Sequence, residues 1–548
     1  MKPVRYTDEL VAEYVEKGYW DTATFADIWD RNAEQYPQKE AIVDSRTRLT
    51  WAEAKLQIDR IALRLMELIE RDKVLVTQLP NCAELMLLYV ACQEAGIINA
   101  GALRTLRHKD MEHVLASVDA QGVVIPWKFH DFDHFAMIQE IKPNLPHLKH
   151  IIVIGEEVPP GAISLDEMRH EPLEKKYPPQ RLRERALAAT EITGIRHTSG
   201  TTGVPKIVEQ VTCVRMLLAK ELVRAFKLTS DDVVAAVTPL AAGPAQIALI
   251  GAPLVGAKSI IMDRFVAEDF FKLVEEEKVT VAAVVPAILE MMLRDPSLGK
   301  YDLSSLRALN CSGAPMAPKL AEEIEEKTGA IVFQRFGIQD IGSLTIATVD
   351  DPKEVRHLTL GKPHKGSEIR IVDEDGNDVP TGETGEIILR GALAVSGYFM
   401  DPERTQQTWD KDGWARSGDL GRFDEQGNLM IVGRIKDIII RGGQNIDAAE
   451  VEAILRTHPK VSEVAAVAMP DPVLGEKACA YVVTKPGQQD LTFNEMVSFM
   501  KDKVAAFKLP ERLEIIKALP LVAETKINKR ALRQDIADKL KAEGKLQS

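Results

Sequence analysis

The run KSIIM at residues 258–262 is followed by AEDFFKLVEEEK at 267–278, then by VTVAAVVP at 279–286 and AILEMMLR at 287–294. Each short, β-rich run precedes a longer amphipathic run. The same alternation starts near residue 24, for example KVLVTQLP followed by AELMLLYVACQEAG, and it ends near residue 300. A repeated strand–helix order is typical of a parallel sheet covered by helices, so it predicts a doubly wound α/β fold.

The composition excludes several classes of protein. The chain has 548 residues, with 45% hydrophobic and 28% charged residues, which predicts a folded protein of at least two domains. The net charge of −13 gives no reason to expect nucleic acid or an anionic membrane as a partner. Five widely spaced cysteines predict neither disulfides nor a zinc site, and the N-terminus lacks the apolar run of a signal peptide. We therefore expect a cytoplasmic protein without membrane insertion.

The pattern of hydrophobic and turn-forming residues changes twice after residue 360. Between 361 and 433, short β-rich runs alternate with turn signals such as DEDGND and DEQGN, which predicts a small antiparallel or barrel-like subdomain. After GRIKD, a mixed pattern of helices and strands continues for about 110 residues, which is enough for an independent domain. We predict an N-terminal domain at 1–433, a linker at 434–437 and a small α+β domain at 438–548.

The strongest local motif is HTSGTTGVPK at residues 197–206, after a predicted strand. Its glycines let the backbone approach an anion, while its hydroxyl groups, its successive N–H groups and one lysine suit phosphate oxygens. A flexible surface turn is the structural alternative. The candidate ATP-binding residues of this segment are Thr198, Ser199, Gly200, Thr201, Thr202, Gly203 and Lys206.

This segment resembles the phosphate loop of the acyl-adenylate-forming superfamily, which contains AMP-dependent acyl-CoA synthetases and aryl-acid adenylating enzymes. Further motifs resemble those of the family and follow in its order: NCSGAP at 310–315 and QRFGIQD at 334–340. The resemblance implies that Phe336 packs on adenine and that Asp340, where the family has Glu, binds Mg²⁺ with Thr202. The other ATP-binding residues that it implies here are Gly313, Ala314, Pro315, Arg335, Gly337 and Gln339.

The later motifs contain the remaining site residues that the resemblance implies. The resemblance implies that Asp419 of SGD binds the ribose, that Arg434 of GRIKD lies near the ribose or phosphates, and that Lys436 is the hinge of a mobile C-terminal domain. Gly442 and Gly443 correspond to the glycine loop along which pantetheine enters. Lys526 corresponds to the catalytic lysine of the family, although the glycine that normally precedes it is Thr525 here. The catalytic residues implied are Lys526, Lys206 and Arg434.

The activity implied is that of an ATP-dependent carboxylate–CoA ligase. The acid would form an acyl adenylate with release of pyrophosphate, and coenzyme A would then take the acyl group and release AMP. ATP, Mg²⁺, a small carboxylic acid and coenzyme A are the expected ligands, and a homo-oligomer remains open. Two alternatives also remain open: loading of the phosphopantetheine of a carrier protein, and a nucleotide-binding protein that has lost catalysis.

The acid pocket is expected around Ala242, Gly243 and Gly337. Relatives that use 2-hydroxybenzoates typically have His-Asn at the first two positions, where the Asn amide meets the ring hydroxyl. The residues here are small and bear no amide, so a ring hydroxyl would be buried without a partner, at a cost of roughly 1–3 kcal/mol. We therefore expect a bulky and mostly apolar aromatic or alicyclic ring acid, activated for degradation.

Overall fold

The computed structural model describes residues 1–155, 157–178, 180–198, 206–442, 444–501, 503–522 and 526–546. Its contacts divide the chain into two compact units. The first unit comprises Met1–Ile369 and Leu389–Ala415, and the second comprises Arg370–Ile388 and Arg416–Ser548. No helix among the described residues is both long and apolar enough to cross a membrane.

The largest sheet of the first unit has nine strands in the order β18-β17-β16-β15-β14-β12-β13-β1-β2. The six strands from β16 to β1 run parallel, and β17 and β2 pair antiparallel at either side. Their bounds are β1 (Glu40–Val43), β2 (Arg48–Thr50), β12 (Val233–Ala236), β13 (Lys258–Ile261), β14 (Val281–Val284), β15 (Ala308–Cys311), β16 (Ile331–Ile338), β17 (Gly342–Ile346) and β18 (Lys362–Pro363).

A second sheet of seven strands has the order β11-β10-β4-β3-β5-β8-β9. It is parallel except for β11, which pairs antiparallel with β10. Its strands, together with the hairpin β6-β7, are β3 (Val74–Thr77), β4 (Ile98–Gly101), β5 (Gly122–Pro126), β6 (Lys128–Phe129), β7 (Phe132–Asp133), β8 (His150–Ile154), β9 (Ile163–Ser164), β10 (Ile192–Thr198) and β11 (Lys206–Val211).

Helices connect these parallel strands, as the alternation of the sequence predicts. Thr24 and Thr50 begin two of them with capping boxes, and the helix that begins at Ala83 is buried along its whole length. The helices of this unit are α1 (Asp8–Glu16), α2 (Phe25–Gln35), α3 (Trp51–Leu68), α4 (Ala83–Glu94), α5 (His108–Ser117), α6 (His134–Ile141), α7 (Leu165–His170), α8 (Gln180–Arg185), α9 (Thr212–Phe226), α10 (Ala252–Val255), α11 (Ala267–Glu277), α12 (Pro286–Arg294), α13 (Pro318–Thr328), α14 (Lys353–Leu358) and α15 (Pro402–Thr408).

The predicted strand-rich region after residue 360 forms a four-stranded sheet in the order β19-β20-β21-β22. Its strands are β19 (Ser367–Val372), β20 (Gly385–Gly391), β21 (Ala415–Phe423) and β22 (Leu429–Arg434). The last two pair antiparallel through residues on either side of the turn DEQGN.

The rest of the second unit is a mixed sheet covered by three helices. The sheet has the order β24-β23-β26-β25, with β27 paired to β26, and β28 and β29 form a separate hairpin. Its elements are β23 (Ile438–Arg441), β24 (Gln444–Asp447), α16 (Ala448–Arg456), β25 (Val461–Asp471), β26 (Gly475–Thr484), α17 (Phe493–Met500), β27 (Arg512–Ile515), β28 (Leu521–Val522), β29 (Lys526–Ile527) and α18 (Lys529–Ala542).

Candidate active site

Three parallel strands of the nine-stranded sheet end beside predicted site residues. Residues 238–243 follow β12, residues 313–315 follow β15, and Gln339 and Asp340 follow β16. The carboxyl ends of parallel strands lie at one edge of a sheet, and ligands of open α/β folds bind at that edge. The topology therefore brings the segments predicted for adenine, metal and acid to the same edge.

Lys206, Asp340 and Tyr398 form a charged cluster in the first unit. The Lys206 ammonium group lies 2.6 Å from Asp340 Oδ2 and donates to the Tyr398 hydroxyl at 3.2 Å, and this hydroxyl donates to Asp340 at 3.2 Å. Burial lowers the pKa of Lys206, but the hydrogen bond and charge of Asp340, aided by Tyr398, outweigh burial and raise the pKa above its ordinary value. Lys206 therefore stays charged at neutral pH.

Most of the predicted phosphate loop lies outside the described residues. Thr198 ends β10 and Lys206 begins β11, so the loop connects two antiparallel neighbours. Ser199, Gly200, Thr201, Thr202 and Gly203 fall in the part that the structure does not describe, and their predicted roles stay predictions.

The residues predicted to meet adenine present an open surface. Gly313, Ala314 and Pro315 are exposed, Phe336 is half-buried on β16, and Gly337 and Gln339 are exposed. A Cβ atom at Gly337 would lie 3.2 Å from the Ser343 Cα atom and 3.3 Å from the Gly342 carbonyl oxygen. Glycine is therefore the residue that fits here without moving the facing backbone of β17.

The predicted acid segment carries more polar groups than the sequence suggested. Ala242 and Gly243 are half-buried, and the Gly243 carbonyl accepts from Arg335 Nη2 at 3.1 Å and from the Gln246 backbone N–H at 3.3 Å. Gln246 is buried, and its Nε2 atom has no hydrogen-bond partner. Gln246 lies just beyond the predicted segment, and the mostly apolar acid pocket around Ala242 and Gly243 stays a prediction.

Asp419 and Arg434 lie opposite each other in the second unit. They are paired across β21 and β22, and Arg434 Nε lies 2.8 Å from Asp419 Oδ1. The Asp419 side chain is only 5% exposed, whereas that of Arg434 is 45% exposed. The two residues predicted to meet ribose and phosphate thus form one ion pair.

The predicted hinge is attached to helix α18. Lys436 lies in a short 3₁₀ turn, and Arg533 Nη2 donates to the Lys436 carbonyl at 2.6 Å and to Asp437 Oδ1 at 2.7 Å. Lys529, at the start of α18, lies 3.7 Å from Asp437. The residues that hold the turn therefore come from the helix that directly follows Lys526–Ile527.

The structure describes only part of the glycine loop at 442–443 and part of the segment around Lys526. Gly442 has φ +54° and donates its N–H to the Leu474 carbonyl at 2.8 Å, and Gly443 lies outside the described residues. The Lys526 backbone begins β29 and pairs with Val522, but the side chain of Lys526 is not described.

Sequence reasoning missed Tyr398, Gln246, Arg196 and Arg215. Tyr398 lies 192 residues from Lys206 in the chain and belongs to no motif that we recognised. Arg196 carried a signal, because an arginine inside the apolar strand directly before the phosphate loop is unusual.

Comparisons with known proteins agree with the fold. Residues 29–399 match the AMP-binding enzyme family, and residues 450–526 match the C-terminal domain of AMP-binding enzymes. The chain is 33% identical over 540 residues to 2-hydroxy-7-methoxy-5-methyl-1-naphthoate–CoA ligase of Streptomyces carzinostaticus, covering 97% of this chain and 96% of that one. It is 30% identical to 2,3-dihydroxybenzoate-AMP ligase of Bacillus subtilis over 542 residues, covering 98% of each chain.

The ATP-bound crystal structure of MatB from Rhodopseudomonas palustris has the same fold, with a TM-score of 0.83 at 23% identity over 94% of this chain and 99% of that one. The predicted family, the fold of a large N-terminal and a small C-terminal domain, and the AMP-forming acid–thiol ligase class are thereby confirmed. ATP as a substrate and coenzyme A as an acceptor are expected for such proteins. The chain belongs to the family of AMP-binding enzymes.

Proposed function

We propose that this protein activates a ring carboxylic acid with ATP and transfers the acyl group to coenzyme A. The observation that carries the proposal is the contact between Lys206, at the end of the glycine-rich segment, and Asp340, at the carboxyl end of β16. A cation and an acid at this edge of the sheet suit a triphosphate and its metal ion. The relatives described above are named for a substituted 2-hydroxynaphthoate and for 2,3-dihydroxybenzoate, which supports an aromatic ring acid; the alicyclic alternative rests on the small residues Ala242 and Gly243.

In the first half-reaction, a carboxylate oxygen of the acid attacks the α-phosphorus of ATP, and pyrophosphate leaves with the electrons of the broken P–O bond. The carboxylate needs no general base. Lys206 and Lys526 offset the negative charge that grows on the phosphate oxygens, and Arg434 orients the nucleotide beside Asp419. Phe336 and the residues Gly313, Ala314 and Pro315 hold the adenine.

Asp340 fits the role of the one carboxylate that binds Mg²⁺. Its Oδ2 atom accepts hydrogen bonds from Lys206 and Tyr398, and within the described part of the chain Oδ1 is left for a metal ion. Mg²⁺ in nucleotide sites takes one or two carboxylates, and phosphate oxygens complete its coordination, so one acid is sufficient. When bound, the ion would neutralise charge on the leaving pyrophosphate, and Thr202 is its second proposed ligand.

In the second half-reaction, the thiolate of coenzyme A attacks the acyl carbonyl carbon, and AMP leaves. We propose that residues 438–548 rotate about 434–437 between the two steps, with Lys436 as the pivot. The rotation withdraws Lys526 and brings Gly442 and Gly443 to the thiol. Arg533 holds Lys436 and Asp437 from the C-terminal side, which supports this location of the hinge.

Coenzyme A is proposed over a carrier protein because the naphthoate relative and a medium-chain fatty-acid relative are both named as CoA ligases. A cytoplasmic location agrees with five buried cysteines that form no disulfide.

The test is pyrophosphate release from ATP over a panel of benzoate, cyclohexanecarboxylate, 1-naphthoate, salicylate and 2,3-dihydroxybenzoate, first alone and then with coenzyme A. The proposal expects release with at least one ring acid and a thioester product when coenzyme A is present. Adenylation without transfer to coenzyme A would instead favour a carrier protein as acceptor, and no release with any acid would favour a protein that has lost catalysis.

A further inference from the structure

Three arginines lie close together behind the predicted acid segment of the first unit: Arg196 on β10, Arg215 on α9 and Arg335 on β16. Arg335 donates to the Gly243 carbonyl at 3.1 Å, and Arg215 donates from Nε and Nη2 to Gln246 Oε1 at 3.3 and 3.1 Å. With the Gln210 amide oriented to satisfy both residues, Arg196 donates to its oxygen at 3.1 Å. Every one of these hydrogen-bond acceptors is a neutral oxygen.

Among the described residues, Arg215 and Arg335 bond to neutral oxygens and form no ion pair with a carboxylate. Burial, with the charge of Arg196, lowers the pKa of Arg335 to about 10. Burial also lowers the pKa of Arg215 to about 10, while nearby Tyr89 opposes this shift and Arg196 adds to it. At neutral pH both side chains therefore remain protonated, so the positive charges persist in a buried environment.

Other buried cations of the chain are neutralised. Among the described residues, four lysines or arginines are buried: Lys55, Arg215, Arg335 and Arg356. Lys55 pairs with Glu94 at 2.9 Å, and Arg356 pairs with Glu325. In the described chain, Arg215 and Arg335 bond to neutral oxygens instead, and Arg215 gains partial compensation from the rings of Tyr89 and Phe25 at 4.7 and 5.0 Å. Arg335 has no such aromatic contact among the described residues.

Unpartnered polar atoms lie along the same segment. Gln246 Nε2 and Thr238 Oγ1 are buried without a hydrogen-bond partner, and both residues are less than 5% exposed. Leaving such atoms unpaired destabilises the fold, and leaving a buried charge unpaired destabilises it more. The missing groups are acceptors, because guanidinium and amide nitrogens are donors and a hydroxyl group is also able to donate.

Two described carboxylates on the elements of the cluster bond to other groups. Glu221, on the same helix as Arg215, lies 3.0 Å from Arg224 and 3.5 Å from buried His364. Glu209, on β11, accepts from Ser396 at 2.8 Å. A ligand that brings an acceptor would complete the cluster.

We propose that the acid activated by this enzyme is a ring dicarboxylate, and that Arg335, with Arg196 beside it, binds the carboxylate that does not react. The proposal rests on the function proposed above and narrows its substrate. A carboxylate accepts bidentately from a guanidinium group, and its second oxygen also suits Gln246 Nε2. The reacting carboxylate is then left for the nucleotide, while the ring between the two groups meets Ala242 and Gly337.

The test compares matched acids in the same protein. Pyrophosphate release is measured with benzoate against its three dicarboxylate isomers, and with cyclohexanecarboxylate against the 1,2-, 1,3- and 1,4-dicarboxylates. We expect at least one diacid to exceed its monoacid parent by tenfold or more in kcat/KM. In Arg335→Met, the ratio of kcat/KM for the diacid to kcat/KM for its monoacid parent should fall about 10- to 150-fold, whatever the variant does to the nucleotide that both acids need. Arg183→Gln, which removes an exposed arginine of α8, should change neither value.

A second readout does not depend on catalysis. Because Arg335→Met removes a buried charge that lacks a carboxylate, the Tm of the free protein should stay the same or rise, and the preferred diacid should raise the Tm of the wild type more than that of the variant. Preference of the wild type for every monoacid would overturn the dicarboxylate assignment and leave the proposed function intact. Equal losses for both kinds of acid in the variant, together with a lower Tm, would give Arg335 a purely structural role. If the variant does not fold, the ratio of kcat/KM for each diacid to that for its monoacid parent in the wild type decides. No release of pyrophosphate with any acid would refute the proposed function itself.

Discussion

Replacing Lys206 by methionine should separate catalysis from stability. The Lys206 and Asp340 side chains are 29% and 19% exposed, and an ion pair that retains this much contact with water contributes about 1 kcal/mol or less to folding. A unit charge 4 Å from a phosphate oxygen is worth about 4 kcal/mol near a protein surface, and solvent screening reduces this value. We therefore expect a loss of about 2 to 3 kcal/mol in the activation free energy of adenylation, or about 30- to 160-fold in kcat/KM.

The assay is initial-rate pyrophosphate release with saturating ATP and the preferred acid, alongside urea unfolding of each variant. Lys220→Met is the matched control, because Lys220 pairs with Asp21 at 2.5 Å on the same unit and belongs to no predicted site. The control should lose a similar, small amount of stability and keep its rate. A Lys206→Met enzyme whose rate stays within about threefold of wild type, while its stability matches that of the control, would refute the role of this cation at the phosphates.

The other predictions concern the two half-reactions. Lys526→Ala should reduce acyl-AMP formation by about 100- to 1000-fold, which is the loss expected for a group that stabilises charge in the transition state. The variant should still form the thioester from supplied acyl-AMP. Near-normal adenylation would show that Lys526 does not correspond to the catalytic lysine of the family. Lys436→Pro should slow thioester formation about tenfold more than adenylation, because a fixed φ hinders rotation of the hinge without touching the phosphate site, and equal losses in stopped-flow measurements of both steps would argue against a hinge at this residue.

The architecture was largely readable from local patterns. The runs at 258–294 form β13, α11, β14 and α12, because the hydrophobic periodicity of neighbouring residues indicates strands and helices. The order of the motifs then identified the family, since each motif is short and contiguous. The resemblance implied that Asp340 and Lys206 both act at the phosphates, although Lys206 begins β11 of the seven-stranded sheet and Asp340 follows β16 of the nine-stranded sheet.

The polar surroundings of the acid segment could not be read in this way. The polar residues near this segment come from separate strands and loops: Arg335, Gln246 and Arg196. No local sequence pattern indicates that they lie close together in the fold. The prediction of a mostly apolar acid rests on positions 242 and 243 alone, and the structure adds a buried amide at Gln246, three residues further on. Contacts of long sequence separation, such as that of Lys206 with Tyr398, are likewise set by topology.

The route of one oxygen atom tests the central claim, that the acid is activated as an acyl adenylate. The preferred acid, labelled with ¹⁸O in the reacting carboxylate, is converted to its thioester with ATP and coenzyme A, and the released nucleotide is analysed by mass spectrometry. Attack of the carboxylate on the α-phosphorus followed by thiol attack on the acyl carbon predicts AMP that contains one ¹⁸O atom. Release of ADP, or of AMP without the label, would contradict the account.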